Sequence, residues 1–226
     1  MRLYVLVEGQ TEEEFVKSVL VPHLWRRRIE VRVSVVETSR DAFGRKRRGG
    51  GRRWGKWYCD LKRLTTEQHG GDVRFTTMFD LYGLPKDFPG LCEHASDRDT
   101  SRRATRLEET MAAAVDDWRL VPYLQRHEFE ALVLAGLPAL AGLLQDKDDL
   151  AGLEEIRTMI AQSSPEDIND GEDTAPSKRL EEHIVSYRKT FHGPLVVAET
   201  GIAALRSKCP RFDAWIAKLE ALGGQP

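Results

Sequence analysis

The first apolar segment, "RLYVLVE" (residues 2–8), is short and nearly continuous, the pattern of a strand in a parallel sheet covered on both faces. It runs into Gly9 and then a helix-start signal. Thr11 and Glu14 match a capping box, and Glu12, Glu13 and Glu14 suit the positive end of a helix dipole. Phe15, Val16, Val19, Leu20 and Leu24 then recur at helical spacing, with Pro22 expected to kink the helix and Arg26, Arg27 and Arg28 at its C-terminal end. "IEVRVSVVE" (29–37) alternates strictly, which predicts a second strand with one wetter face at or near a sheet edge. "DVRFTTMFD" (72–80) reads as a third strand, ending at Asp80 before the turn-rich "YGLPKDFPG", and "RLVPYLQ" (119–125) as a fourth. A short helix is expected over 57–67. The clearest helix spans 98–117, with Ala104, Leu107, Met111, Ala114 and Val115 as its apolar stripe.

From His127 onward the pattern is mostly helical, in "HEFEALVLA", "DLAGLEEIRTMIAQS", "SKRLEEHIVSYRK" and "PRFDAWIAKLEAL", with the acidic loop "SSPEDINDGEDTAP" among them. The expected fold is α/β: a mainly parallel sheet flanked by helices over residues 1–126, and a mostly helical C-terminal part, 127–226, packed on that core. No internal repeat breaks the pattern.

Composition narrows the function classes. The 226 residues are 41% hydrophobic and 31% charged, ordinary for a chain that buries its own core. No uncharged apolar run approaches the roughly 18 residues of a membrane span, and the N-terminus lacks a secretory signal, so a cytoplasmic protein without a membrane partner is expected. Cys59, Cys92 and Cys209 are far apart and form no CxxC, which argues against both a disulfide framework and a zinc site. There is no GxSxG elbow, Walker loop or HExxH, so a nucleotide-hydrolysing motor is not expected within this chain.

Charge is strongly uneven. Residues 40–58 hold eight Lys or Arg against Asp41 alone, a balance of +7 in a chain of net −2, so the remainder carries −9. Three glycines among like charges predict a mobile loop over 39–56. Arg45, Lys46, Arg47, Arg48, Arg52, Arg53 and Lys56, interleaved with Trp54 and Trp57, suit phosphate contact with base stacking. The other reading is a loop that meets an acidic partner or a second copy of the chain, and a homo-oligomer is compatible with it. Lys178 and Arg179 stand just inside a predicted helix start, capped by Ser177 or Thr174, where cations oppose the dipole unless they meet phosphate oxygens.

Glu8 and Asp80 both end strands, and ligands of open parallel sheets bind outside the strands' carboxyl ends. Two clustered carboxylates resist joint ionisation, and all-oxygen donors favour Mg²⁺ or Mn²⁺. From position alone, polar strand ends or helix caps are the leading explanation of each. Glu128 and Glu130 follow the fourth strand; two positions apart on a helix they diverge by about 200°, so at most one faces a site unless the helix begins between them. His127 reads as a ligand, a general base or a cap, and Asp87 as a further acid in the turn.

"VEGQTEEEF" followed by "FDLYGLP" resembles the Toprim domain, whose metal-dependent members cut, rejoin or synthesise nucleic acid. The wider set "VEGQTEEEF", "DLYGLPKDFPG", "YLQRHEFEALVLA", "INDGEDTAPSKR" and "CPRFDAWI" resembles a bacterial Toprim-related family found beside ATPases in defence-type operons, and spans nearly the whole chain. The resemblance implies a Toprim-like core and a Mg²⁺- or Mn²⁺-dependent nuclease acting on DNA or RNA, with a partner ATPase. By it, Glu8 matches the first Toprim acid and Asp80 the first aspartate of the second motif, as metal ligands and catalytic groups. Tyr82 stands where that motif has its second aspartate, so a replacement is sought in Glu128 or Glu130, or in Asp87 of the turn. The alternative is a Toprim-fold binding or regulatory subunit without chemistry.

Overall fold

In the computed structural model, residues 1–40, 46–48, 53–161, 163–168 and 175–223 are described, with only the backbone of 37–40 and 46–48. Strand β1 (Arg2–Val7) is central, parallel to β2 (Glu30–Val35) on one side and to β5 (Val73–Asp80) on the other. β2 forms the edge that its alternation predicts. Beyond β5 the expected fourth strand is broken in two: β6 (Leu120–Val121) pairs with Phe75 and Thr76, and β7 (Leu124–Gln125) with Phe79 and Asp80. Pro122 has no N–H for a ladder. Thr77 fills the gap, its hydroxyl accepting from Tyr123 N–H and donating to Tyr123 C=O, both at 2.9 Å.

Both faces of β1 are covered. Leu3, Val5 and Val7 join one core cluster with residues of the C-terminal helices, whereas Tyr4 and Leu6 join the other with Trp57, Leu61, Leu107 and Met111. This alternation places the helical C-terminal residues on one face of the sheet. On the opposite face lie α3 (Trp54–Glu67) and α4 (Thr100–Val115), the latter capped by Asp99 Oδ1 at 3.0 Å from the N–H groups of Ser101 and Arg102.

Three local expectations are corrected. The first helix is α1 (Gln10–Phe15), a π-helical turn (Val16–Leu20) and α2 (Val21–Trp25), the irregular turn falling just before Pro22, whose ring and missing N–H disfavour a regular ladder. Residues expected as loop contain β3 (Glu37–Arg40) paired antiparallel with β4 (Lys46–Arg48), and α3 already begins at Trp54. After α5 (Glu130–Ala135), α6 (Leu137–Leu143), α7 (Lys147–Ile160) and α8 (Pro176–His183), a helix that sequence reasoning did not single out, α9 (Lys189–Lys208), precedes α10 (Pro210–Glu220). Gly193, Pro194 and Gly201 interrupt its pattern, and Gly201, at φ 75°, kinks it. Among the described residues, no helix is long and apolar enough to cross a membrane.

Candidate functional site

Because Val7 lies opposite Met78 in the parallel register, β1 and β5 end side by side, and Glu8 and Asp80 leave the same sheet edge. The turn after Glu8 is held by α1's own glutamate: Gly9 is the N-cap and its N–H donates to Glu12 Oε2 at 2.9 Å. The residue reaching back is thus Glu12, two positions before the expected Glu14, and this buries Glu12 beside Glu8. Gly83, one turn past Asp80, comes close to Glu8; a Cβ there would stand 2.6 Å from Glu8 Oε2.

The third strand-end contribution comes after β7. His127 adopts φ 61°, a left-handed turn, and α5 begins only at Glu130. The helix therefore starts between the two glutamates, and both Glu128 and Glu130 turn to one cation, Lys189, at the first position of α9. Its Nζ lies 2.8 Å from Glu130 Oε2 and 3.9 Å from Glu128 Oε2. A lysine at a helix N-terminus opposes the dipole, and here the surrounding acids offset that cost.

Five carboxylates thus share one ammonium. Burial raises the Glu8 carboxyl to about 7, with Glu12 adding to the shift. Burial also raises Glu12, and raises Glu130 to about 7 against the opposing pull of Lys189. Asp80 is raised well above the ordinary range, by burial first, then by Glu12, Glu8 and Glu130, while Lys189 opposes. Burial alone pulls the Lys189 ammonium down; Glu130, Asp80 and Glu128 more than reverse this and hold it above its usual value.

Three buried oxygens, Glu8 Oε2, Asp80 Oδ1 and Glu130 Oε1, have no hydrogen-bond partner among the described residues. Buried polar atoms are ordinarily satisfied, so three orphans on converging carboxylates point to a missing ligand. Among the described residues no group of three or more His, Cys, Asp or Glu side chains is placed so that it could hold a metal ion as it stands. The donors nevertheless fit a hard divalent cation, since all three are carboxylate oxygens and their repulsion is only partly relieved by Lys189.

Tyr82, expected from the resemblance to stand at an aspartate position, points to His127. Its hydroxyl lies 2.9 Å from His127 Nδ1, and its N–H donates to His127 C=O at 3.0 Å. His127 Nε2 lies 2.9 Å from the Glu166 carbonyl, which can only accept. The proton is therefore on Nε2, and Nδ1 accepts from the tyrosine. Fully buried, His127 acts here as a brace rather than the solvent-facing cap considered from sequence.

The remaining candidates separate. Glu128 Oε1 accepts from Ser177 N–H at 2.6 Å, so it caps α8, where Ser177 or Thr174 was expected to do so. Asp87 does the same for α3 through Trp54 N–H at 2.8 Å and takes no part in the acid cluster. Trp57 is fully buried with its ring 4.3 Å from Phe79, which corrects its reading as a base-stacking residue. Trp54 is half-buried against Phe88, while Arg53 and Lys56 are exposed at the start of α3. Lys178 is exposed beside Glu181 at 3.5 Å, and Arg179 is half-buried against Met159. Arg45 and Arg52 lie outside the described residues, as do the side chains of Lys46, Arg47 and Arg48. Sequence reasoning did not find Lys189, whose partner Glu130 is 59 positions away in the chain, or the site role of Glu12, for which the Gly9 cap was the available signal.

Fold and site together define an α/β protein with a buried carboxylate cluster, balanced by one lysine, at the C-terminal edge of a parallel sheet. The chain belongs to the family DUF4276, a domain of unknown function, which matches residues 7–220. No curated protein matches it. Structures of the C-terminal region of the Xanthomonas campestris pv. campestris OLD protein are similar. The form phased with platinum is 16% identical at a TM-score of 0.40, covering 96% of this chain and 95% of that one. The form phased with mercury is 15% identical at 0.37, covering 96% and 97%. These likenesses are too loose to carry residue correspondences.

Proposed function

We propose that the chain is a divalent-metal-dependent nuclease that hydrolyses phosphodiester bonds in DNA or RNA. The observation that supports this most is the set of three unpartnered, buried carboxylate oxygens from Glu8, Asp80 and Glu130. Glu8 and Asp80 would hold Mg²⁺ or Mn²⁺, together with the unpartnered oxygen of Glu130. The ion, when bound, polarises the phosphate and lowers the pKa of water. Through its other oxygen Glu130 holds Lys189 in the site, at 2.8 Å. Lys189 partly relieves the mutual repulsion of the acids and places one positive charge among them. Glu12 is a positioning residue that fixes the turn carrying Glu8, and Glu128 holds the start of α8 beside them.

A second reading, a binding or regulatory subunit without chemistry, is favoured by one observation: Tyr82 replaces an acid of the Toprim motif and its hydroxyl is engaged by His127. The sequence resemblance extends either reading to a partner ATPase in a defence-type system. The test uses purified protein with plasmid, single-stranded DNA and tRNA, in Mg²⁺ or Mn²⁺. Cleavage is expected, and is expected to disappear in Glu8→Ala and Asp80→Asn; cleavage that persists undiminished in Glu8→Ala eliminates the mechanism. Absence of any calorimetric Mg²⁺ or Mn²⁺ binding, with intact association with a partner ATPase, selects the second reading.

A further inference from the structure

Beside the carboxylate cluster lies a cleft of about 880 Å³, bordered by Tyr82 and Glu128 on the site side and by the starts of α4 and α8 on the other. Its volume falls within the range of about 300–1,000 Å³ typical of ligand sites. Four cations line it: Lys86, Arg98, Arg103 and Lys178. They come from three separate stretches of chain, so no sequence run announces them.

The two acids of the cleft are already engaged. Asp97 is gripped by Arg102, with Nε 2.7 Å from Oδ2, and that pairing lowers its carboxyl to about 2. Glu128 accepts from Ser177 N–H and faces Lys189. The cations are freer. Arg103 is half-buried, yet its Nε is buried with no hydrogen-bond partner among the described residues. Lys178 has an exposed contact with Glu181 at 3.5 Å, a type of pair worth little. Four cations therefore outnumber the two engaged acids along the cleft, a lining suited to anionic groups such as phosphates.

We infer that this cleft is a single-stranded nucleic-acid track that leads a strand to the carboxylate cluster, its phosphates held by Lys86, Arg98, Arg103 and Lys178. The inference rests on the nuclease reading and names its substrate form. A flexible single strand can bend its phosphates into a concave groove, whereas a duplex carries its phosphates on a convex surface and meets only the rim. Tyr82, 37% exposed, offers a ring for a base at the inner end, a contact that every base can make. Leu84, Ala95 and Ala175 supply the apolar lining.

The test is fluorescence anisotropy with a labelled single-stranded oligothymidylate and a duplex of equal length, in EDTA so that no cleavage occurs. Wild type is expected to prefer the single strand at least about tenfold, the scale of one charge-assisted hydrogen bond. Arg98→Ala/Arg103→Ala, checked for folding by circular dichroism, is expected to reduce the slope of log affinity against log salt by about 1.4, or about 0.7 for each phosphate no longer neutralised. Wild-type affinity and slope in that variant, stronger duplex binding, or no single-strand binding by wild type each overturn the inference. Failure of the nuclease reading looks different: single-strand binding stays sensitive to the two arginines while no cleavage follows on adding Mn²⁺.

Discussion

Replacing Glu8 by glutamine should stabilise the protein, and the gain should depend on pH. Glu8 has its carboxyl raised from 4.5 to about 7 by burial and by Glu12. A carboxyl raised on folding contributes nothing unfavourable below its unfolded value, because it is protonated in both states. As pH rises from about 4.5 through 7 the unfolded chain gives up the proton first, and the fold loses stability. A shift of this size corresponds to about 3 kcal/mol at pH 8, an upper bound because neighbouring acids share the same burial. Glutamine keeps the shape and removes the charge. Glu8→Gln should therefore raise stability by up to about 3 kcal/mol at pH 8 and by little at pH 4.5, or roughly 6–12 °C in Tm for a chain of this size.

Scanning calorimetry of both proteins across pH 4.5–8 in EDTA reads this directly. With Mn²⁺ the gap at pH 8 should nearly close, since wild type gains about 2.7 kcal/mol when the ion is at a hundredfold its Kd and the variant gains little. A Tm difference that does not change with pH, or a variant that is less stable at pH 8 than at pH 4.5 relative to wild type, refutes the electrostatic account of this site.

Other changes follow from the same geometry. Lys189→Met removes the shared counter-charge and should cost about 3–5 kcal/mol at pH 8 but much less at pH 5, where Glu8 and Glu130 are protonated; urea titrations at the two pH values measure it. Gly83→Ala should leave the fold within about 1 kcal/mol of wild type, because its new Cβ meets only the movable end of Glu8. The displaced carboxylate should nevertheless abolish the Mn²⁺-induced rise in Tm. Tyr82→Phe strands the buried Nδ1 of His127 and should cost about 1–3 kcal/mol, while the Mn²⁺ response stays intact; a lost response would make the tyrosine a ligand.

The sheet was legible because its strands carry period-two or continuous apolar patterns and end in turn residues. β1, β2 and β5 lie where alternation places them, and the break at Pro122 needed only the rule that proline donates no ladder bond. Harder to read were elements whose signals conflict. α9 holds Gly193, Pro194 and Gly201, each a breaker, and becomes helical because the core of α1, α5 and α10 buries its apolar residues. The site was half legible for the same reason: Glu8 and Asp80 are announced by the strands they end, whereas Lys189 is announced by nothing local. The basic run over 40–58 is the most conspicuous charge feature in the sequence, yet the cations of the cleft beside the acids come from three separate stretches of chain.

The arrangement of charge argues for a function more strongly than any one residue does. Five acids around one ammonium leave an excess of negative charge when all are ionised, and the fold holds them against that repulsion with caps and turns rather than neutralising partners. Glu12 spends one oxygen on Gly9 and Glu128 spends one on Ser177, so those two are fixed. Glu8, Asp80 and Glu130 each keep a buried oxygen unbonded among the described residues. A site selected only for stability would have replaced these three by apolar or amide side chains, since burial makes each of them costly at neutral pH. Their convergence in one place, beside a cleft lined by Lys86, Arg98, Arg103 and Lys178, is the arrangement on which the proposed binding of a positive ion and a negative strand rests.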